Sequence, residues 1–287
     1  MEWLDRKGNI VPGNDTESRF IKFLYETKLG QLICSILIKK WVSELAGKIM
    51  DMKISCIAIH PFLKNSNINM NEYEQVKFKS FNDFFTRKIK KECRPIDMDE
   101  KHLISPCDCK FSVYDIKEDS TFMIKNTNYT LESLLQNKEL AEVYKDGTFL
   151  LFRLTVDDYH RYAYIDSGMK TKNVYIPGVY YTVNPIANDH KQIYKENSRE
   201  YTIIENETFG KILMMEVGAT MVGRIVNYDQ ECVVTRGQEK GRFEFGGSTI
   251  IVCIEKDKII IDDDLVKNTK QGNETVLKLG EKIGIAN

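Results

Sequence analysis

The sequence predicts an α+β protein, with N-terminal helices followed by a β-rich body. Two patterns carry this reading. Leu29, Leu32, Ile33, Ile36, Leu37, Trp41 and Leu45 recur at spacings of three and four, which marks one face of a helix. From about residue 103 the chain changes to short β-rich runs broken by Gly, Asn and Asp: "FSVYDI", "TFLLFRLTV", "YAYID", "KNVYIPGVYYTV", "KILMMEVGATMVGRIV", "ECVVT" and "STIIVCI". Helical periodicity returns only in "TLESLLQNKELAEVY", residues 130–144.

Taken in order, residues 1–14 read as a loose start that ends in the turn Pro12-Gly13-Asn14. The helix that follows, around residues 29–49, carries Lys39, Lys40 and Lys48 among its apolar positions. One reading packs it on the core. The other lays it in a membrane interface, apolar face in lipid and lysines near anionic headgroups. No run approaches the ~18 uninterrupted apolar residues of a spanning helix. Residues 52–100 read as further helix and loop, and Phe81, Phe84 and Phe85 in "KSFNDFFTRKIK" as a core anchor. The expected organisation is a helical, membrane-associating region over 1–100 and a β-rich domain over 101–287. No internal repeat, low-complexity tract or flexible linker interrupts it.

Composition sets bounds. The 287 residues are 29% charged and 42% hydrophobic, enough apolar material for a full core. A formal net charge of −1 and the lack of an interleaved basic-aromatic motif argue against a nucleic-acid partner. The seven cysteines (34, 56, 93, 107, 109, 232 and 253) are an odd, scattered set behind a polar start, so reduced thiols in a cytosolic compartment are expected. Cys107 and Cys109 flank Asp108 without a second Cys/His pair at zinc-like spacing, and no metal is expected.

Few residues offer chemistry. His160 lies in "LTVDDYHRYAYIDSG", between Tyr159 and Arg161 and beside Asp157-Asp158. A histidine in a strand is often structural. The neighbouring Arg161 adds a fixed positive charge suited to an anionic substrate group. Asp108 follows a Ser-Pro turn in "ISPCDCKFSVYD", where an aspartate usually stabilises the turn. Ser248 lies in "GRFEFGGSTIIVCIEKDKIII", and its glycine pair reads either as a strand bulge or as a close backbone approach. The surroundings fit neither a G-x-S-x-G elbow nor a Walker A loop. One chemistry does suit a Gly-Ser bond in a strained turn. The hydroxyl attacks the preceding carbonyl, and β-elimination of the resulting ester breaks the chain and leaves a pyruvoyl group.

Together these segments resemble the phosphatidylserine decarboxylase family of pyruvoyl enzymes. The matching stretches are "FNDFFTRKI" with Arg94-Pro95-Ile96, "SPCDC", "DDYHRY", "VNP" at 183–185, "VGATMVGRI" at 217–225 and "KGRFEFGGST". They occur in the family's order from about residue 20 to the C-terminus. The resemblance implies that Ser248 is the precursor of a covalent pyruvoyl cofactor, with cleavage between Gly247 and Ser248 into chains 1–247 and 248–287. It makes Asp108 the aspartate of the self-processing group. His160 becomes the first histidine of a Tyr-His-Arg-x-His motif near the pyruvoyl, with Arg161 and Tyr159 as substrate contacts. The implied reaction is decarboxylation of phosphatidylserine to phosphatidylethanolamine through a Schiff base, with His160 as a protein acid that reprotonates the carbon. The enzyme would then sit peripherally at the cytoplasmic face of the cell membrane. Its partners would be the phospholipid, the membrane surface and its own two chains; a homodimer is left open.

Two positions depart from the pattern. Ala163 stands where the family's second histidine, the general base, is usual, and Cys109 stands where glycine is usual. General-base help is worth ~10²–10⁴-fold, so processing is expected to be slower or to use another group. Two alternatives stay open: a decarboxylase of a soluble amino acid, aromatic ones included, and an unprocessed, non-catalytic paralogue.

Overall fold

All seven residues of the strand Ser248–Ile254 are buried. A strand that is apolar at nearly every position, rather than at alternate ones, must be covered on both faces. In the computed structural model, which describes residues 2–12, 23–124, 127–183, 192–219, 224–244 and 248–287, it lies near the middle of an eleven-stranded sheet. It runs antiparallel to Gly210–Val217 on one side and to Thr148–Leu154 on the other. Beyond Thr148–Leu154 come Cys109–Asp115, Glu274–Leu277, Trp3–Leu4 and Ile10–Val11. Beyond Gly210–Val217 come Arg199–Asn206, Gly168–Lys170 and Cys232–Val234, with Val174–Ile176 also paired to Arg199–Asn206.

Strand alternation sends successive residues to opposite faces. Leu151, Ile251, Cys253 and Met215 face one core, which is closed by Leu131, Leu134, Leu135 and Ala141. Phe152, Ile250, Val252 and Met214 face the other. Two three-stranded sheets cover that second face. One is Ile225–Asn227, Glu239–Phe243 and Arg161–Ala163; the other is Ile259–Ile261, Lys282–Ala286 and His102–Ile104. The α+β class expected from the sequence therefore holds.

Three local expectations change. The helical run at 130–144 is two helices, Leu131–Leu135 and Lys138–Val143. Gln136 between them is left-handed (φ 50°), and Thr130 and Asn137 each cap a new start by accepting an amide hydrogen. The helix expected at 29–49 is likewise two, Lys28–Leu37 and Lys40–Asp51, because Lys39 is extended. Finally, the start is not loose over residues 2–12. Trp3–Leu4 pairs in parallel with Glu274–Leu277, and Ile10–Val11 folds back on it. Two-residue strands are too short to show a period in sequence.

Only Leu37 of the apolar stripe packs against a core, beside buried Cys34; most of the stripe faces outward. Leu29 and Leu32 are each 62% exposed, and Trp41 is 58% exposed. Ile54 and Ile57, just beyond, are 72% and 81% exposed. A monomer seldom leaves so much contiguous apolar surface to water. Phe81, Phe84 and Phe85 are by contrast buried together against Phe62 and Phe78 in a third cluster, as the aromatic segment predicts.

One buried ion pair ties the covering sheet to the main one. Lys240 and Glu216, both fully buried, meet at 2.7 Å. Asn227 adds a bond to the carboxylate at 3.0 Å and accepts from Lys240 at 2.9 Å. Removing one partner of such a pair strands the other charge, at a cost of ~3–5 kcal/mol. Lys240→Met is therefore expected to lower the denaturation free energy by about that amount, and adding Glu216→Gln to recover part of it. Urea denaturation of the two variants measures both effects.

Candidate active site

Ser248 is the first residue of the central strand and pairs with Leu154. It is 1% exposed, and its hydroxyl has no hydrogen-bond partner among the described residues; the same holds for Thr249. An unpaired buried hydroxyl is costly and asks for a reason. The preceding Gly246 and Gly247 lie outside the described residues, as do Asn184 and Pro185 of "VNP" and residues 220–223 of "VGATMVGRI".

His160 is fully buried against the Phe85 ring, with centroids 4.0 Å apart. Its Nδ1 lies 2.9 Å from the carbonyl oxygen of Asp158, and its Nε2 has no partner among the described residues. A carbonyl can only accept, so Nδ1 carries the proton and Nε2 presents a lone pair. Burial lowers the imidazole pKa to about 3; Asp158 opposes this, and Arg87 and Lys110 reinforce it. His160 is thus a neutral imidazole whose Nε2 carries a lone pair, and burial makes that nitrogen a weaker base than a free imidazole.

Asp158 sits in a closed arrangement. Its carboxylate receives Lys110 Nζ at 2.7 and 2.8 Å, the Thr155 amide at 2.7 Å and the Thr155 hydroxyl at 2.8 Å. These bonds hold the turn 155–158, and with it the carbonyl that fixes the His160 tautomer. Burial works against the carboxylate, but Lys110 and Thr155 outweigh it and hold its pKa below the usual range.

Asp108 is held elsewhere. Arg94 grips it bidentately at 2.8 and 2.6 Å, the Leu279 amide donates to it at 2.9 Å, and Lys278 Nζ lies at 3.4 Å. Its oxygens are saturated by these donors, and His160 is not among them. The strand register carries Cys109 to the level of Leu154, opposite Ser248. Two strand spacings place the Cys109 and Ser248 backbones roughly 10 Å apart. Ala163 lies against the Asp108 segment, its amide donating to the Pro106 carbonyl at 2.9 Å.

Ala163 also lines a cavity of about 600 Å³ with Arg94, Ile96, Tyr159, Arg161 and Glu239. The positive charge of Arg161 is already committed. It donates to the Thr86 carbonyl at 2.7 Å and pairs with Glu239 at 2.5 Å. Tyr159 is buried 6.2 Å from the Tyr73 ring. The structure therefore gathers Arg161, Tyr159 and the partner of Asp108 around one cavity, and it connects His160 to Asp158 rather than to Asp108. Among the described residues no three His, Cys, Asp or Glu side chains gather to hold a metal.

The profile of the family described as "Phosphatidylserine decarboxylase" matches residues 81–285. The chain belongs to the phosphatidylserine decarboxylase family. Phosphatidylserine decarboxylase proenzyme 2 of Clostridium acetobutylicum is 43% identical over 268 residues, which cover 93% of this chain and 92% of that one. The phosphatidylserine decarboxylase proenzyme of Clostridium novyi is 45% identical over 271 residues, 92% of each chain. That of Clostridium botulinum strain Alaska E43 is 44% identical over 277 residues, 94% of each chain. The family is one of carboxy-lyases, and membership makes this chain an enzyme of that class.

Sequence reasoning missed Lys110, Asp158 and the pair Lys278-Leu279 as supports of the site. Asp158 stood beside His160 in the motif, but nothing local shows that Lys110, 48 positions away, reaches it. Arg94 was visible within Arg94-Pro95-Ile96, and its bond to Asp108 was not.

The buried imidazole sets a pH dependence. Its folded pKa of about 3 lies below the unfolded value near 6.5. The unfolded chain therefore takes up the proton first, so this contribution is complete above about pH 6.5 and is lost as pH falls toward 3. Thermal unfolding from pH 7 to 5 is expected to show a declining melting temperature in the wild type. The decline is expected to be shallower in His160→Gln.

Proposed function

We propose that the protein cleaves itself between Gly247 and Ser248, converts Ser248 to a pyruvoyl group and decarboxylates phosphatidylserine to phosphatidylethanolamine at a membrane surface. The observation that carries this reading is the Ser248 hydroxyl. It is buried and unpaired among the described residues, in a chain of this family. The relatives' names as proenzymes support the cleavage, and their substrate supports the lipid.

In this reading the Ser248 hydroxyl attacks the Gly247 carbonyl, and an ester replaces the amide as the Ser248 nitrogen gains the proton. Removal of the Ser248 α-proton expels the Gly247 carboxylate, and water then displaces ammonia from the new terminus. The neutral Nε2 of His160 is the proposed proton acceptor, a role the family pattern gives to the residue at 163. Asp158, through its carbonyl, orients that imidazole. Asp108 acts here by position: its carboxylate fixes Arg94 and the 278–279 segment around the site.

A pyruvoyl group supplies an electrophilic carbonyl that engages the substrate amine and draws off the electrons freed with carbon dioxide. Tyr159 and Arg161 are the proposed substrate contacts, since they line the cavity. His160 rests neutral, so it donates a proton to the product carbon only after first accepting one. Lys28, Lys39, Lys48 and Lys53 are exposed around the apolar helices, which suits an anionic lipid surface. No helix among the described residues is long and apolar enough to cross a membrane.

Mass spectrometry of the purified protein is expected to show residues 1–247 and a pyruvoyl-capped 248–287. Ser248→Ala is expected to leave the chain intact and inactive, and Ala163→His to speed cleavage. A wild-type chain that stays intact for days means an unprocessed paralogue, the reading that Ala163 favours. Carbon dioxide release should be faster from phosphatidylserine in micelles than from free serine or tryptophan; the reverse order means a soluble substrate.

Liposome binding tests the surface. Leu32→Ser with Ile57→Ser removes exposed apolar side chains, so affinity should fall at least about tenfold while self-cleavage is unchanged. Salt should weaken wild-type binding without abolishing it, because the apolar contribution is not screened. Loss of folding in this variant would instead make the helices core elements.

A further inference from the structure

The backbone of the N-terminal arm and its Arg6 side chain bond to one part of the molecule. Glu2 donates its amide to Asn273 at 3.2 Å and accepts the Glu274 amide at 3.1 Å. Trp3 and Leu4 are in register with Glu274 and Thr275. Arg6 donates to both oxygens of Asp264 at 2.8 Å, to Asp262 at 2.7 Å and to the Lys282 carbonyl at 2.5 Å. The turn that returns the arm is fixed by Asp5, which accepts the amides of Lys7 and Asn9 at 2.8 Å, and by Gly8 at φ 84°. Each of these partners beyond the arm lies between residues 262 and 282.

The Trp3 ring closes the same region from one side. It lies 4.8 Å from Lys110 Nζ and 5.9 Å from the Arg153 guanidinium. Arg153 is paired bidentately with Glu274, at 2.8 and 2.5 Å, with both side chains almost wholly buried. An aromatic face over two such cations keeps water from them and adds cation–π attraction. The strand held here, Glu274–Leu277, runs directly into Lys278 and Leu279, two of the groups that donate to Asp108.

We propose that residues 2–11 are a clasp that holds the 262–282 segment on the sheet and thereby keeps Lys278 and Leu279 on Asp108. The clasp exists in the intact chain. Its importance grows under the cleavage proposed above, on which that second role rests, since residues 262–282 are then joined to residues 1–247 by no covalent bond. Trp3 and Arg6 are its positioning residues.

Hydrogen exchange decides the first role. The Glu274 amide reports directly, because its acceptor is Glu2 of the arm. In Trp3→Ala with Arg6→Ala, exchange at Glu274 should rise about tenfold or more, while amides in Ser248–Ile254 keep their protection. Trp3→Phe with Arg6→Lys should restore most of it. Unchanged protection at Glu274 overturns the proposal, and so does an equal rise throughout the sheet, which is global loosening.

Gel filtration in graded urea decides the second role. The cleaved double variant should release residues 248–287 at lower urea than the cleaved wild type. In a Ser248→Ala background, the same substitutions should shift unfolding less. Equal shifts in both backgrounds remove the link to cleavage. A wild-type chain that never cleaves refutes the processing reading, and Glu274 exchange still decides the clasp.

Discussion

The rest of the structure depends on one strand being buried on both faces and both edges. Ser248–Ile254 exchanges backbone bonds with Gly210–Val217 and Thr148–Leu154 while its side chains enter both cores. Withdrawing it would open two ladders and expose two apolar faces at once. The segment after residue 247 is therefore built into the fold. Glu274–Leu277 lies beside Cys109–Asp115, and Lys282–Ala286 beside His102–Ile104. A chain break before Ser248 would leave this pairing in place, because strand ladders and core contacts do not need the peptide bond between 247 and 248.

Burial at this depth also governs the electrostatics. Lys110–Asp158, Arg94–Asp108, Arg153–Glu274 and Lys240–Glu216 are all paired out of water. Charges in such a medium persist only when matched. His160 takes up no second proton, because burial outweighs the attraction of Asp158. Among the polar atoms left without partners in the described residues are the Ser248 hydroxyl and His160 Nε2. The site thus leaves the Ser248 and Thr249 hydroxyls and an imidazole nitrogen without partners among the described residues.

The helical region follows a different rule. Its aromatic anchor is packed, while most of its apolar stripe is turned outward. Both sets obey helical spacing, so spacing alone does not tell them apart. Gly30 shows how close the first helix lies to the segment before it: a Cβ there would meet the Phe23 carbonyl oxygen at 2.0 Å. Cys34, Leu37 and Ile38 tie the same helix to the first core, and Leu29, Leu32, Ile33 and Ile36 are left exposed for another surface.

The sequence by itself determined the α+β order of elements, the aromatic anchor at Phe81–Phe85, the β character of the 248–254 run and the family. All of these are written in neighbouring residues, as a period of two or 3.6 or as an ordered set of motifs. It did not determine the strands at the N-terminus, the breaks at Lys39 and Gln136, or the partners of the site residues. Arg161 looked like a free cation, and it is paired with Glu239, 78 positions away. Asp108 looked like a turn residue or a relay, and it is gripped by Arg94 and by Leu279, 171 positions away. His160 could be an acid or a base until its place beside Asp158 and Phe85 fixed one tautomer and removed its charge. Charge state, tautomer and hydrogen-bond partner depend on which distant groups exclude water from a side chain, and only the folded arrangement brings those groups together.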